Sequence, residues 1–200
     1  MRGKAILAFV LLCLAASAAG QGAERPNIRA GSEWKFAVYY ATPTSVPNRT
    51  WVVTAVTADG IEGTENGEPL RLTRELGVLD SPQTSSSNPR YLEFPLAVGR
   101  NWRFVNDWVF KPKGSNGRFS ASVTVLAYEK VRVPAGEFDA FKLSVTEKLS
   151  GTAPIGSQYA GETTRTYWYA PAAHAVVKWL SHNPYLGPST TELVSFRLAD

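Results

Sequence analysis

Two histidines, His174 and His182, are the side chains of this sequence that could act as imidazole bases. His174 follows Pro171-Ala172-Ala173, and His182 stands just before an Asn-Pro pair. Neither lies in a nucleophile elbow of the G-x-S-x-G type, and no H-x-x-x-H pair offers metal-ligand spacing. We therefore predict a protein that is not an enzyme, with no catalytic residue, no metal and no cofactor. Hydrolysis by one of the two histidines is a third hypothesis.

The composition excludes further kinds of chemistry. The one cysteine, Cys13, lies in the first 20 residues, so disulfides and thiol catalysis are excluded for the rest of the chain. Without Arg2 and Lys4 the chain keeps 19 basic and 17 acidic residues, a net charge of +2. It contains no run of Lys or Arg, so we predict that it binds neither nucleic acid nor an anionic membrane surface.

The first 20 residues have the pattern of an export signal. Arg2 and Lys4 precede an apolar run at residues 5–16, and small residues follow it. The run is too short for a membrane span, which needs about 20 residues. Leu12 before Cys13 does not fit a lipoprotein box, so we read the cysteine as part of the signal. We predict a signal peptide at residues 1–20, cleavage within residues 18–20, no transmembrane anchor after cleavage, and a bacterial periplasmic or secreted protein.

The secondary-structure elements that would carry any site are predicted from a hydrophobic pattern that repeats every two residues. Apolar side chains alternate with others in a series of short runs, and turn signals such as Asp59-Gly60 and Asn66-Gly67 separate them. The runs lie at residues 34–40, 50–58, 101–110, 118–128, 138–149, 162–170, 174–182 and 190–198. We predict one all-β domain at residues 21–200, an antiparallel curved sheet that forms an open or incomplete barrel; a β-sandwich is the alternative. Residues 80–90 and 150–161 are predicted as loops.

Aromatic residues are the strongest indication of function. Of the 23 aromatic residues only Phe9 lies in the signal, and several strands carry large apolar groups on both faces, as at Tyr167 and Trp168. One face must line a core, and the other either packs under a covering loop or lines a cavity. A dense aromatic core is the alternative to a cavity. The ligand-binding residues that we predict are Trp34, Phe36, Trp51, Trp102, Phe104, Trp108 and Trp168.

Two motifs give the chain a family resemblance. They are the V-P-A-G-x-F-x-A-F hairpin at residues 133–141 and the W-Y-A-P strand end at residues 168–171. With the P-L-x-x-G-x-x-W stretch at residues 95–102, the chain resembles a group of uncharacterised bacterial periplasmic proteins, and more distantly the half-barrels of LolA and LolB lipoprotein carriers. The resemblance implies a concave apolar face for acyl chains.

Two function classes follow from these observations. In the first, the exported domain binds a lipid or another apolar or amphipathic small molecule on its aromatic face without catalysis. In the second, it is a structural or partner-binding component of a cell-envelope assembly, and its edge strands or the 80–90 loop contact another envelope protein.

Overall fold

The computed structural model describes residues 22–40, 48–153, 155–183 and 187–200, and the predicted signal peptide lies outside these ranges. Within them the chain forms fourteen β-strands and one short 3₁₀ turn, so the all-β prediction is confirmed. No helix in the described part of the chain is both long and apolar enough to cross a membrane. The strands are β1 (Gly22–Ala23), β2 (Glu33–Tyr40), β3 (Arg49–Val56), β4 (Ile61–Glu65), β5 (Glu68–Leu72), β6 (Val78–Asp80), β7 (Thr84–Ser86), β8 (Leu96–Ala97), β9 (Asn101–Phe110), β10 (Ser115–Val133), β11 (Gly136–Thr152), β12 (Gln158–Ala170), β13 (Ala175–Asn183) and β14 (Gly187–Arg197).

Twelve of these strands form one closed antiparallel barrel, in the order β10-β11-β12-β13-β14-β2-β3-β4-β5-β6-β7-β9. The prediction of an open or incomplete barrel is therefore wrong. Closure depends on β7, which lies within residues 80–90 and pairs with β6 at Asp80–Ser85 and with β9 at Ser85–Val109. A three-residue strand of Thr and Ser shows no alternation of apolar and polar residues, so its sequence resembles a loop.

The longest part of the wall is the β10–β11 hairpin. Its register runs from Val133–Gly136 at the turn to Asn116–Thr152 at the far end, with an irregularity between Val125 and Ala127. Gly136 has φ +132°, a backbone conformation that L-amino acids rarely adopt, which explains glycine after Pro134-Ala135. The irregularity bends the strand pair, as β-bulges do, and so helps the sheet to curve.

The first of two apolar clusters lies on the face of β9–β12 that carries Phe104, Val123 and Leu143. A segment of the chain itself, residues 88–96, covers this face. Its Leu92 and Leu96 are 3% and 0% exposed, and the Tyr91 ring lies 5.2 Å from that of Phe104. The face that could have lined an open cavity is therefore covered by the chain's own loop.

The second apolar cluster belongs to the other half of the barrel, formed by β2–β5, β13 and β14. Phe36 is at its centre, with ring centroids 5.4 Å from Trp51 and 5.5 Å from Trp179. The tip of the β10–β11 hairpin closes the cluster, since Phe138 packs 5.9 Å from Phe196. Burial of each aromatic side chain in this cluster stabilises the fold by about 1.5–3 kcal/mol.

Candidate functional site

The seven aromatic residues predicted to bind a ligand do not share one surface. Trp34, Phe36 and Trp51 belong to the second apolar cluster, whereas Trp102 and Phe104 belong to the first. The Trp168 ring lies under the Lys142 ammonium group, 5.4 Å from its Nζ, and packs with the second cluster. Only Trp108 lies at the end of the barrel where β9 ends and β10 begins.

Four of the tryptophans use their indole N–H inside the fold. Each Nε1 donates a hydrogen bond: Trp34 to the Ala173 carbonyl at 2.8 Å, Trp51 to Glu65 at 3.1 Å, Trp102 to the Arg90 carbonyl at 2.7 Å and Trp168 to Glu129 at 2.9 Å. Phe36 and Phe104 are 2% and 5% exposed. A buried indole needs such a partner, so these bonds are part of the folded core.

Trp108 is partly exposed, as Trp51 is, but it is the one tryptophan of the seven whose indole N–H makes no hydrogen bond within the described ranges. It lies on the same face of β9 as the buried Phe104 and Asn106, since it is separated from them by even numbers of residues. Tyr159 of β12 is its aromatic neighbour, with the ring centroids 6.5 Å apart and the planes inclined by 49°.

Two glycines allow these rings to lie across the sheet. The register places Trp108 opposite Gly117, Gly117 opposite Gly151, and Gly151 opposite Tyr159 on four adjacent strands. A Cβ on Gly151 would lie 2.5 Å from the Tyr159 hydroxyl oxygen, and one on Gly117 would lie 3.2 Å from Trp108 Nε1. A larger residue at either position would clash with a ring, so the glycines form the floor beneath the aromatic pair.

A groove of about 670 Å³ opens beside this floor, and we call it the mouth groove. Its volume is within the range of small-molecule sites, about 300–1,000 Å³. The residues that line it are Ser85, Ser86, Ser87, Asp107, Trp108, Val109, Asn116, Gly117, Arg118, Ser150, Gly151 and Gln158. The register pairs Val109 with Asn116 and Asp107 with Arg118, so these side chains project from the sheet face opposite the Trp108 ring. The groove therefore lies on the exposed face of the sheet, with the backbone of Gly117 and Gly151 between polar side chains.

The two charged residues of the mouth groove are paired with each other. Arg118 donates two hydrogen bonds to the Asp107 carboxylate, at 2.6 and 3.0 Å. The hydrogen bonds from Arg118 lower the pKa of Asp107, so the pair stays ionised and its charges cancel. The groove therefore presents no net charge to a ligand.

A buried polar cluster lies deeper in the barrel, between β11, β12 and the covering segment. The Tyr91 hydroxyl donates to Glu147 Oε1 at 2.6 Å, and Arg165 Nη2 lies 3.2 Å from Glu147 Oε2. Burial raises the pKa of Tyr91 well above its usual range, and burial also raises the pKa of Tyr167 beside it. The cluster fixes the covering segment to the barrel wall through Tyr91.

This cluster was not predicted from the sequence, although the position of Arg165 in the sequence indicates it. Arg165 stands in the same alternating phase as Tyr167, so a charged side chain follows the pattern of a buried face. Such a residue requires a buried counter-charge, and Glu147 on the neighbouring strand supplies it. The partner cannot be chosen from the sequence, because many carboxylates lie elsewhere in the chain.

The two histidines do not share a site. His174 precedes β13 and has φ +51° after the 3₁₀ turn, whereas His182 lies near the opposite end of the same strand. Burial lowers the pKa of His174, and its backbone N–H bonds to the Pro171 carbonyl at 3.1 Å. Among the described residues no group of three His, Cys, Asp or Glu side chains could hold a metal ion.

Comparisons with known proteins identify the fold. No protein-family model matches the chain, and no curated protein matches it either. A Bacteroides fragilis protein described as exported, with a YmcC-like fold, is 14% identical; the match covers 88% of this chain and 99% of that one, with a TM-score of 0.53. A Parabacteroides distasonis protein described as a lipoprotein is 16% identical over 88% of this chain and 100% of that one, with a TM-score of 0.54. The chain therefore has a YmcC-like fold, and its resemblance to LolA and LolB carriers stays a prediction.

Proposed function

We propose that this chain is a non-catalytic, exported protein of the bacterial envelope that binds an amphipathic small molecule at the barrel mouth, against the ring of Trp108. The observation that carries the proposal is the exposure of Trp108 together with the hydrogen bonding of its indole. It is the one tryptophan of the predicted ligand set whose ring is partly exposed and whose indole N–H has no hydrogen-bond partner within the described ranges. An aromatic ring with an available donor can contact an apolar group and a polar group of the same ligand.

Three further observations support this assignment. The signal-like start of the sequence supports export, and two proteins of the same fold are described as exported and as a lipoprotein. The covering segment packs Leu92 and Phe94 against the face that could otherwise hold an acyl chain. A ligand therefore finds Trp108 at the barrel mouth available and the apolar face of β9–β12 already covered.

The proposal is tested by titrating the protein without residues 1–20 with dodecyl maltoside, below its micelle-forming concentration. The readout is the ¹H–¹⁵N signal of the Trp108 indole, assigned by its loss in Trp108→Phe. We expect this signal to move in a saturable way, and Trp108→Ala to weaken binding at least about tenfold, a loss of about 1.4 kcal/mol. Val105→Ala, on the same strand but outside the groove, is the matched control. A Trp108 signal that stays fixed would refute the proposal.

A role in an envelope assembly is the second candidate. Val105 and Val109 on β9 are 50% and 40% exposed, and Val109 pairs with Ser85 of the short strand β7. Two exposed apolar side chains on the same face of one strand suit contact with another protein. Cross-linking in intact cells from a photoreactive amino acid at position 105 tests this role. A recurrent product of one mass would favour it, and its absence would favour ligand binding alone.

A further inference from the structure

The sheet face that carries Trp108 holds several residues that could contact the same ligand, and we call it the Trp108 face. Ser86 of β7 is the register partner of Trp108 and shares its face. Asn106 lies two residues before Trp108 on β9, about 7 Å away along the strand and on the same side of the sheet. The partners of Trp108 and Asn106 on β10 are Gly117 and Phe119.

Asn106 and Trp108 both carry N–H groups that have no protein partner. Asn106 is 1% exposed, and its Oδ1 accepts a hydrogen bond from the backbone N–H of Asn88 at 2.8 Å. The Nδ2 of Asn106 and the Nε1 of Trp108 make no hydrogen bond within the described ranges. In those ranges the side-chain atoms that are both sealed from solvent and unpaired belong to Thr163 and Arg165, so solvent reaches these two nitrogens. The Trp108 face therefore offers hydrogen-bond donors that lack acceptors.

Apolar side chains form the part of the Trp108 face towards β11 and β12. Phe119 is the partner of Asn106 on β10, and Leu149 is the partner of Phe119 on β11. Both side chains pack with the first apolar cluster. The Tyr159 ring of β12 lies 6.5 Å from the Trp108 ring. A ligand on this face therefore meets unpaired donors on β9 and an apolar surface beside them.

The two rows of register partners that contain Trp108 and Asn106 carry no charged side chain among the described residues. They consist of Ser86, Trp108, Gly117, Gly151 and Tyr159, and of Asn106, Phe119, Leu149 and Gly161. Asp107 and Arg118 project from the opposite face and bind each other. A charged ligand group would lose water here without gaining a counter-charge, which is unfavourable. The chemistry of the face therefore favours a neutral group that accepts hydrogen bonds.

From these observations we infer that the Trp108 face binds a neutral acyl ester, with its ester oxygens bonded to the N–H groups of Trp108 and Asn106 and its hydrocarbon part against Phe119 and Leu149. The inference rests on the proposed function and narrows it to one ligand class. An ester has acceptor oxygens and no N–H or O–H group, so binding leaves no ligand donor unpaired. Its hydrocarbon part covers the apolar side of the face.

The test uses the protein without residues 1–20 and three probes with the same six-carbon chain. Methyl hexanoate is a neutral ester, hexylammonium carries donors and a charge but no acceptor, and hexanoate carries acceptors and a charge. The readouts are the ¹H–¹⁵N signals of the Trp108 indole and of the Asn106 side-chain amide. Their loss in Trp108→Phe and in Asn106→Asp assigns them.

Asn106→Asp also tests the donor directly, because a carboxylate keeps an acceptor for the Asn88 N–H and has no N–H of its own. Asn101→Asp is the matched control. Asn101 is exposed on the opposite face of the same strand, so the same change there leaves the Trp108 face intact. Thermal melts establish that both variants are folded.

We expect methyl hexanoate to move both signals along one saturation curve and hexylammonium to move neither. Hexanoate should bind at least about tenfold more weakly than the ester, Asn106→Asp should weaken the ester at least about tenfold, and Asn101→Asp should bind as the parent does.

An ester that leaves either signal fixed, or that binds no better than hexylammonium or hexanoate, overturns the ester assignment. These two signals of the parent protein decide the question even where Asn106→Asp does not fold. The response of the Trp108 signal to dodecyl maltoside decides separately whether the proposed function stands.

Discussion

Individual side chains show how the barrel accommodates polar groups in its interior. Glu147, with a side chain that is 3% exposed, interacts with Arg165 and accepts a hydrogen bond from Tyr91. The Oγ1 of Thr163 and the Nε of Arg165 are buried beside it without a protein partner in the described ranges. Buried polar atoms of this kind are commonly satisfied by ordered water. The cluster is therefore an interior polar network whose removal should cost stability.

Replacing Glu147 with Gln tests that cost. The change removes the charge that neutralises Arg165, and removal of one member of a fully buried pair costs about 3–5 kcal/mol. The Arg165 side chain is 30% exposed, so water screens part of the effect, and we expect a loss of about 2 kcal/mol. Urea denaturation measures it. Glu162→Gln, an exposed carboxylate on the same sheet, should change stability by less than about 0.5 kcal/mol. Equal losses in the two variants would contradict the prediction.

Tyrosine burial predicts a loss of stability at high pH. Burial raises the pKa of Tyr169 in the folded state, so the unfolded chain loses this proton first. The contribution to stability is complete below the unfolded pKa of about 10 and declines above it, by at most about 1.4 kcal/mol per pH unit. Tyr169→Phe should behave as the parent does at pH 7 and lose stability less steeply between pH 10 and 11. Urea unfolding across this range measures the slope, and an unchanged slope would exclude Tyr169 as a source.

Pairs of neighbouring strands position the candidate site. The Trp108–Gly117–Gly151–Tyr159 row exists because four antiparallel strands share one register at the barrel mouth. The Trp108 and Tyr159 rings could not lie over the middle of this row if the residues at positions 117 and 151 carried side chains. The site is therefore a property of the strand pairing, and no single motif encodes it.

Gly117→Ala tests the glycine floor. A Cβ at this position would lie 2.4 Å from the Ser150 carbonyl oxygen on the neighbouring strand, which requires the backbone to shift. We expect a loss of about 2 kcal/mol in thermal or urea unfolding, within the usual cost of overpacking. At Gly22 the nearest atom to a Cβ would be the Leu96 carbonyl oxygen at 3.5 Å, so Gly22→Ala is the control and should be tolerated. A Gly117→Ala variant as stable as the parent would contradict this prediction, because it would show that the backbone shifts at little cost.

Neighbouring strands of the barrel differ in how many residues they pair. β10 and β11 pair from Asn116–Thr152 to Val133–Gly136, whereas β6 and β7 pair at Asp80–Ser85 alone. Local opening requires the least free energy where few backbone hydrogen bonds and few apolar contacts must be broken. The seam around β6 and β7 is therefore the place where the closed barrel should open first.

Amide hydrogen exchange tests this inequality across the molecule. Amides of β6 and β7 should exchange at least about 100-fold faster than those in the middle of β10 and β11, after correction for intrinsic rates. Mass spectrometry of peptic fragments or NMR gives both rates from one sample, so the long hairpin is an internal control. Uniform protection around the barrel would mean that the short strands are as stable as the hairpin.

The all-β class of this chain can be predicted from its sequence alone, because alternation of apolar residues and the turn signals between the runs are local properties. The sequence also identifies Trp108 as one of seven candidate ligand residues. Closure of the barrel, the covering of β9–β12 by residues 88–96 and the separation of the seven aromatic residues into different surroundings were decided by the tertiary structure. These features depend on pairing between segments far apart in the chain, such as Ser85 with Val109 or Tyr91 with Glu147. No periodic pattern specifies such partners, since the same alternation fits any register that buries the same face.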